Sequence, residues 1–376
     1  MSKAAQLLGD LIALPSVNPA VLPTGDPRAG EQRIAGFLAA TAGIGGLDVE
    51  LREVLPGRPN VLARLRPSRA PRHRVVLAPH LDTIGAESDA LFQPRRKHGR
   101  LHGRGACDTK GSVAAMLTAL TGVARSGRRP QQTEIVFAGL VDEENGQSGS
   151  RALVASGFTA DLAIVGEPTN LQVVTAHKGD LWLQLETRGR AAHGSRPDLG
   201  DNAVHTMARI VDLLQTTYAM ALRRRRHSLL GRATVNVGTI CGGAQPNIVP
   251  DRCVIGLDRR TLPGETDAGV RREILDLLKR HRLRARMLNL RGAPCPPMET
   301  DARRPLVRQL LALVGQRRGL GVHYFCDAAV LSGGGIPSVV FGPGDIAQAH
   351  TADEWISLRQ LEDAVALLAA FLHALP

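Results

Sequence analysis

A chain of 376 residues, 43% hydrophobic and 22% charged, is long enough for two domains of ordinary size and has the make-up of a globular protein in water. Its net charge of +12 raises the question of nucleic acid, but only 3% of the residues are aromatic, and the one conspicuous basic run, four arginines at 223–226, has the pattern of a solvated helix end, so no nucleic-acid partner is expected. Cys107, Cys241, Cys253, Cys295 and Cys326 are odd in number, scattered and without a CxxC pair, which argues against a disulfide framework and a thiolate zinc site and fits a reducing cytoplasm.

The first segment, MSKAAQLLGDLIALPSVNP, is amphipathic but interrupted by Asp10 and Pro15, unlike the core of a signal peptide. No run approaches the roughly 20 apolar residues that span a membrane. From VVLAPHLDT onward, short β-branched runs alternate with helical patterns: SVAAMLTALTGVARSG, EIVFAGLVDEE, RALVASGF, LAIVGEP. This alternation predicts an α/β domain with a mainly parallel sheet covered by helices. After about residue 177 the pattern changes. LWLQLETRGR alternates with the strand period, a helical NAVHTMARIVDLLQTTYAMAL follows, then strands ATVNVGTI and CVIGLDRR, a helix AGVRREILDLLKRH and a closing MLNLRG. That order predicts an inserted α+β domain of about four strands and two helices at 177–294, within a first domain made of 1–176 and 295–376. A helix at PLVRQLLALVGQR, a strand at SVVFGPG and a last helix from Leu358 complete the chain.

Polar residues cluster at the ends of the apolar strands. His80 and Asp82 follow VVLAP, Glu143 and Glu144 follow IVFAGLVD, and Glu167 follows LAIVG. Asp108 lies in the glycine-punctuated GRGACDTKGS before a helix, and His350 in GPGDIAQAHTADE after a strand. In open α/β sheets this rim is where ligands bind. Asp82, Asp108, Glu143, Glu144 and Glu167, gathered on one rim, would repel one another unless cations sit among them. Two divalent ions bring four positive charges against three directly bound carboxylates and leave one net positive charge to stabilise a hydroxide; one ion would leave the set negative. Oxygen and imidazole donors suit zinc first, with cobalt or manganese as alternatives.

The motifs PHLDT, GRGACDTKGSVAAM, VDEENGQSGS, GEPT, AAHGSRPDLGDNA, DRRTLPGE and FGPGDIAQAHTADE, in this order, resemble the metallopeptidase family that includes acetylornithine deacetylase, succinyl-diaminopimelate desuccinylase, aminoacylase and glutamate carboxypeptidase. The resemblance covers nearly the whole chain. It implies that His80 and Glu167 bind one metal, that Glu144 and His350 bind the other, and that Asp108 bridges them. Asp82 would orient His80 from behind, and Glu143 would take a proton from the attacking water and pass it to the leaving amine. The insert would be a lid or dimerisation domain. His193 in AAHGSRP would cross to the partner's site and steady the oxyanion. Asn247 in GGAQPNIVP, also from the partner, and Arg260 in DRRTLPGE would hold the substrate carboxylate; strand alternation turns Arg259 and Arg260 to opposite faces, and the register against LPG selects Arg260.

The implied reaction is attack of a metal-bound hydroxide on the amide of a small N-acyl amino acid, in a homodimer. Glu at position 167 and the GPGDIAQAH segment look most like acetylornithine deacetylase. Desuccinylase and carboxypeptidase or dipeptidase activities are the alternatives, and a non-catalytic binding protein on this fold is the reading disfavoured by the intact ligand set with Glu143.

Overall fold

A computed structural model describes residues 1–290 and 292–376. It divides into two compact units, Met1–Thr175 with Glu299–Leu320 and Cys326–Pro376, and Ala176–Met298 with Gly321–Phe325. The divisions fall after residues 175 and 298, where the sequence pattern suggested 176 and 294. The short return at 321–325 carries no sequence mark, because GVHYF differs little from an ordinary loop.

The first unit is built on a mixed α/β sheet. In space its strands run Asp48–Leu55, Arg58–Leu65, Thr133–Gly139, His73–Pro79, Leu162–Gly166 and Ser338–Val340, continuing to Val174–His177. The four from Thr133–Gly139 to Ser338–Val340 are mutually parallel, and the first two form an antiparallel hairpin at one edge. Parallel strands covered on both faces cannot alternate polar with apolar, which is why IVFAG and LAIVG are buried at every position. Helix Lys110–Arg125 buries twelve of its sixteen residues and packs beneath the C-terminal helix Leu358–His373, so its small side chains, Ala114, Ala115 and Ala119, suit a layer enclosed on several sides. With Lys3–Ile12 and Gln32–Ile44 they close a single apolar core. Because the central strands are parallel, their C-terminal ends gather at one edge, and Pro79, Gly139 and Gly166 deliver their following loops there.

The second unit has a four-stranded antiparallel sheet in the order Thr234–Gly242, Arg252–Thr261, Gly179–Arg188, Arg286–Asn289. In the expected closing segment MLNLRG, the paired residues stop at Asn289, and Arg291 lies outside the described residues. Leu181, Leu183 and Leu185 turn inward with Ile255 and Leu257, against Met207, Ile210, Val270 and Ile274 from the helices. Asn202 caps the first helix through Val204 N (2.9 Å) and His205 N (3.1 Å). That helix passes through a π-turn at Leu214–Tyr218 before ending at Arg223.

Lys178, Asp180, Glu186 and Arg259 are charged residues buried in this unit, Arg259 most completely. Arg259 is fully buried, and its guanidinium donates to Glu265 (2.5 Å), the Tyr218 hydroxyl (3.2 Å) and the Arg260 carbonyl. Burial pushes the Glu265 carboxyl up, but attraction to Arg259 outweighs it and holds the group below its ordinary value. Glu265→Ala strands that guanidinium and is expected to destabilise the unit by about 3–5 kcal/mol in urea unfolding. A depressed folded-state pKa stabilises above the unfolded value and loses that contribution as pH falls through the folded value, so the difference between wild type and variant should shrink in acid below the ordinary carboxylate range. A variant as stable as wild type at pH 7 would contradict this.

Candidate metal centre

The sheet's C-terminal edge and the loops beside it bring together all seven residues expected in the first unit's site. His80 directly follows strand His73–Pro79, and its backbone bridges to Leu140 after the neighbouring parallel strand. Its Nδ1–H donates to the Asp82 carbonyl (2.9 Å), leaving Nε2 aimed at Asp108 Oδ1 (3.0 Å) with Glu167 Oε1 at 3.9 Å. The other Asp108 oxygen, Oδ2, faces His350 Nε2 at 3.3 Å, and His350 in turn lies 3.2 Å from Glu144. One carboxylate therefore turns an oxygen toward each of two histidines, with a second carboxylate beside each. The donor atoms of His80, Asp108 and Glu144 lie within 4.8 Å of one another, the compactness a shared cation requires.

Asp82 stands behind His80 and holds a second group as well. Its carboxylate lies 3.5 Å from His80 Nδ1, while the hydrogen bond of that nitrogen at 2.9 Å goes to the Asp82 backbone carbonyl. The carboxylate accepts the backbone N–H groups of Glu143 and Glu144, each at 3.0 Å, and the Asn18 amide at 2.7 Å. It thus holds the turn that presents both glutamates. The same turn is anchored from its start by Asp142, a left-handed residue (φ 69°) whose carboxylate takes bonds from Asn18, Arg58 and Ser148. Glu31, fully buried, pairs with Arg58 at 2.5 Å and accepts Asp142 N–H.

Electrostatics show which charge the pocket favours. Burial pushes the carboxyls of Glu143 and Glu167 well above the ordinary range, against the attraction of His80, and burial with the nearby Asp108 charge raises Glu144. Burial opposes the charge on His80, yet Asp108 and Asp82 hold its imidazole well above the usual value; Asp108 and Glu144 hold His350 at about 10. The protein alone thus recruits protons to offset crowded carboxylates. Divalent ions offset the same charge without protons, and a set of two imidazoles and three carboxylates is the chemistry they bind.

Sequence reasoning missed Asp327. It is buried at the start of helix Ala328–Gly333, its Oδ1 accepts from Ser150 Oγ at 2.6 Å, and its charge is felt by Glu143 and Glu167. Burial pushes it up to about 6. Asn18, Glu31 and Arg58 were missed as well; each lies in a loop or edge segment without a pattern of its own, and only their shared approach to Asp82 and Asp142 reveals them.

The remaining expected residues lie in the second unit. His193 and Asn247 are neighbours on one exposed patch: His193 bridges Ile248, and Gly194 N donates to the Asn247 carbonyl at 2.7 Å. A side chain on Gly194 would collide with Asn247 backbone, so glycine permits this approach. His193 Nδ1 accepts the Ser195 N–H at 3.2 Å, which leaves Nε2 as the protonated, donating nitrogen of the neutral ring. Arg260 lies on the face opposite buried Arg259 and grips Asp258 through Nε (2.9 Å) and Nη2 (3.0 Å).

Since Asp82 holds two backbone amides of the glutamate turn, Asp82→Ala is expected to weaken divalent metal binding about 10–100-fold, measured by competition with a chromophoric chelator. Unchanged affinity in a folded variant would show that the turn holds itself.

The model of peptidase family M20/M25/M40 matches residues 76–374. Among curated proteins, an acetylornithine deacetylase of Myxococcus xanthus is 32% identical over 322 residues, covering 82% of each chain, and one of Edwardsiella ictaluri is 30% identical over 375 residues, covering 96% of this chain and 95% of its own. Among solved structures, the aminopeptidase PepT of Bacillus cereus aligns with a TM-score of 0.80 at 21% identity over 99% of this chain and 97% of its own, and an M20 family metallo-carboxypeptidase of Sulfolobus solfataricus with 0.78 at 18% over 99% of both. No helix among the described residues is long and apolar enough to cross a membrane. With a family match over most of its length, the chain belongs to peptidase family M20/M25/M40 and is a metal-dependent hydrolase of amide bonds.

Proposed function

We propose that the protein removes the acyl group of an N-acyl amino acid, with N-acetylornithine as the first substrate to test, using two divalent ions held by His80 and Glu167 on one side and by Glu144 and His350 on the other, with Asp108 between them. The observation that carries this reading is the double engagement of Asp108, Oδ1 toward His80 and Oδ2 toward His350. The curated relatives bearing the name acetylornithine deacetylase, at 27–32% identity among those compared, support the choice of acyl group and amino acid. Zinc is the metal proposed, with cobalt or manganese as substitutes. Bound ions of this kind lower the pKa of water and polarise an amide carbonyl.

The chain's own residues carry the rest. Glu143, adjacent to Glu144 but outside the proposed ligand set, sits in a buried pocket that favours its protonated form, so it can accept a proton from water and surrender it to the departing nitrogen. His193, donating through Nε2, supplies a hydrogen bond to the oxyanion that develops on the carbonyl. In a homodimer, a second copy of the chain would contribute His193 and Asn247 together from their shared patch. Arg260 receives the substrate carboxylate. Asp258 occupies its Nε/Nη2 edge, so the substrate takes what remains of the guanidinium fork.

The test is release of free amine from N-acetylornithine, N-succinyl-diaminopimelate, other N-acetyl amino acids and dipeptides by the zinc-loaded protein. N-acetylornithine is expected to give the highest kcat/KM, and Glu143→Ala is expected to lower kcat about 10²–10⁴-fold while keeping its metal. No hydrolysis of any of these, or full activity in Glu143→Ala, would overturn the mechanism. Mixing His193→Ala with Glu143→Ala chains should restore part of the activity; none regained after demonstrated subunit exchange would remove the shared site.

A further inference from the structure

Loop 103–108, which presents Asp108, has a turn held together by a single buried carboxylate. Glu354 is 1% exposed, and four donors converge on it. Its Oε1 accepts the backbone N–H groups of Cys107 (2.8 Å) and Asp108 (2.9 Å), and its Oε2 accepts that of Gly105 (2.8 Å) and Nη1 of buried Arg104 (2.8 Å). Gly105 takes a positive φ of 80° inside this loop, which helps aim the amides of Gly105, Cys107 and Asp108 at one point. Glu354 is also joined by its backbone: Gly103 N donates to its carbonyl at 3.0 Å, and the strand that begins at the next residue, Trp355–Ser357, pairs with Arg100–His102 just ahead of the loop.

Four residues before Glu354 stands His350. Its loop is tied to the same place from the other side, where Cys107 Sγ meets the Asp345 carbonyl at 3.3 Å. His350 itself is half exposed and left-handed, at φ 63°, so its own surroundings constrain it weakly. The residue that holds Asp108 from behind is therefore part of the segment that carries His350, although the two loops are about 240 residues apart in sequence.

We propose that Glu354 is a positioning residue that joins the Asp108 loop to the His350 segment, setting the bridging carboxylate before metal arrives. The inference rests on the ligand assignment proposed above. A carboxylate suits the position because all four converging groups donate. The amide of a glutamine would turn two N–H donors of its own toward either the Gly105 and Arg104 pair or the Cys107 and Asp108 pair, and could satisfy only the other.

The test uses the full-length chain, stripped of metal and titrated with zinc against a chromophoric chelator. Glu354→Gln is expected to bind zinc at least tenfold more weakly while remaining folded by circular dichroism. At limiting zinc its kcat should fall in proportion to occupancy with KM little changed, and Glu354→Asp, which keeps the charge but shortens the reach, should lie between. A folded Glu354→Gln with wild-type zinc affinity overturns the inference. His80→Ala separates the two levels: loss of zinc there with none lost in Glu354→Gln removes only the role of Glu354, whereas zinc retained in both removes the ligand assignment beneath it. Should Glu354→Gln not fold, amide exchange in the unsubstituted protein decides. The amides of Gly105, Cys107 and Asp108 are expected to be protected already in the metal-free chain; protection that arises only on adding zinc overturns the proposal.

Discussion

Carboxylates buried beside one another are the constraint around which the first unit is arranged. Asp82, Asp108 and Glu167 are at most 8% exposed, Glu143 and Glu144 join them from the next loop, and Asp327 stands behind. In a low-dielectric pocket such groups either protonate or find positive charge. Two buried or half-buried imidazoles supply part of it, which is why both are held above their ordinary values. Two divalent ions would bring four more positive charges against the three carboxylates proposed to bind them and leave Glu143 to carry a proton. On the proposed reading, hydrolysis of an amide follows from a pocket that holds cations and keeps one unattached carboxyl beside them.

The sheet makes this crowding sustainable. Parallel strands deliver their loops to one edge. Asp82 holds the glutamate turn and Glu354 the Asp108 loop by accepting backbone N–H groups, and Asp142 anchors the start of the glutamate turn through Asn18, Arg58 and Ser148. These acids spend their charge on hydrogen-bond donors, with Arg104 beside Glu354 and Arg58 beside Asp142, so they add order near the pocket.

Much of this was legible in the sequence because buried parallel strands read as unbroken apolar runs. A histidine or glutamate just after VVLAP or LAIVG therefore stands out. The alternation in LWLQLE likewise marked a sheet with one covered face, and Leu181, Leu183 and Leu185 do face inward. Residues acting through backbone amides were not legible. HxD spacing placed Asp82 behind His80 but did not show that its carboxylate also takes the amides of Glu143 and Glu144. Asn18 and Asp327 approach from chain segments far from the motifs and carry no periodic signal. The segment 321–325 joins the second unit by tertiary contact alone.

The central claim is that the pocket is built for two divalent ions and not one. Metal analysis of the purified protein after zinc loading and removal of excess tests it most directly. The account predicts two zinc ions per chain, falling toward one when His350 is replaced by alanine. A stoichiometry of one in the unsubstituted protein, or of none, would contradict it.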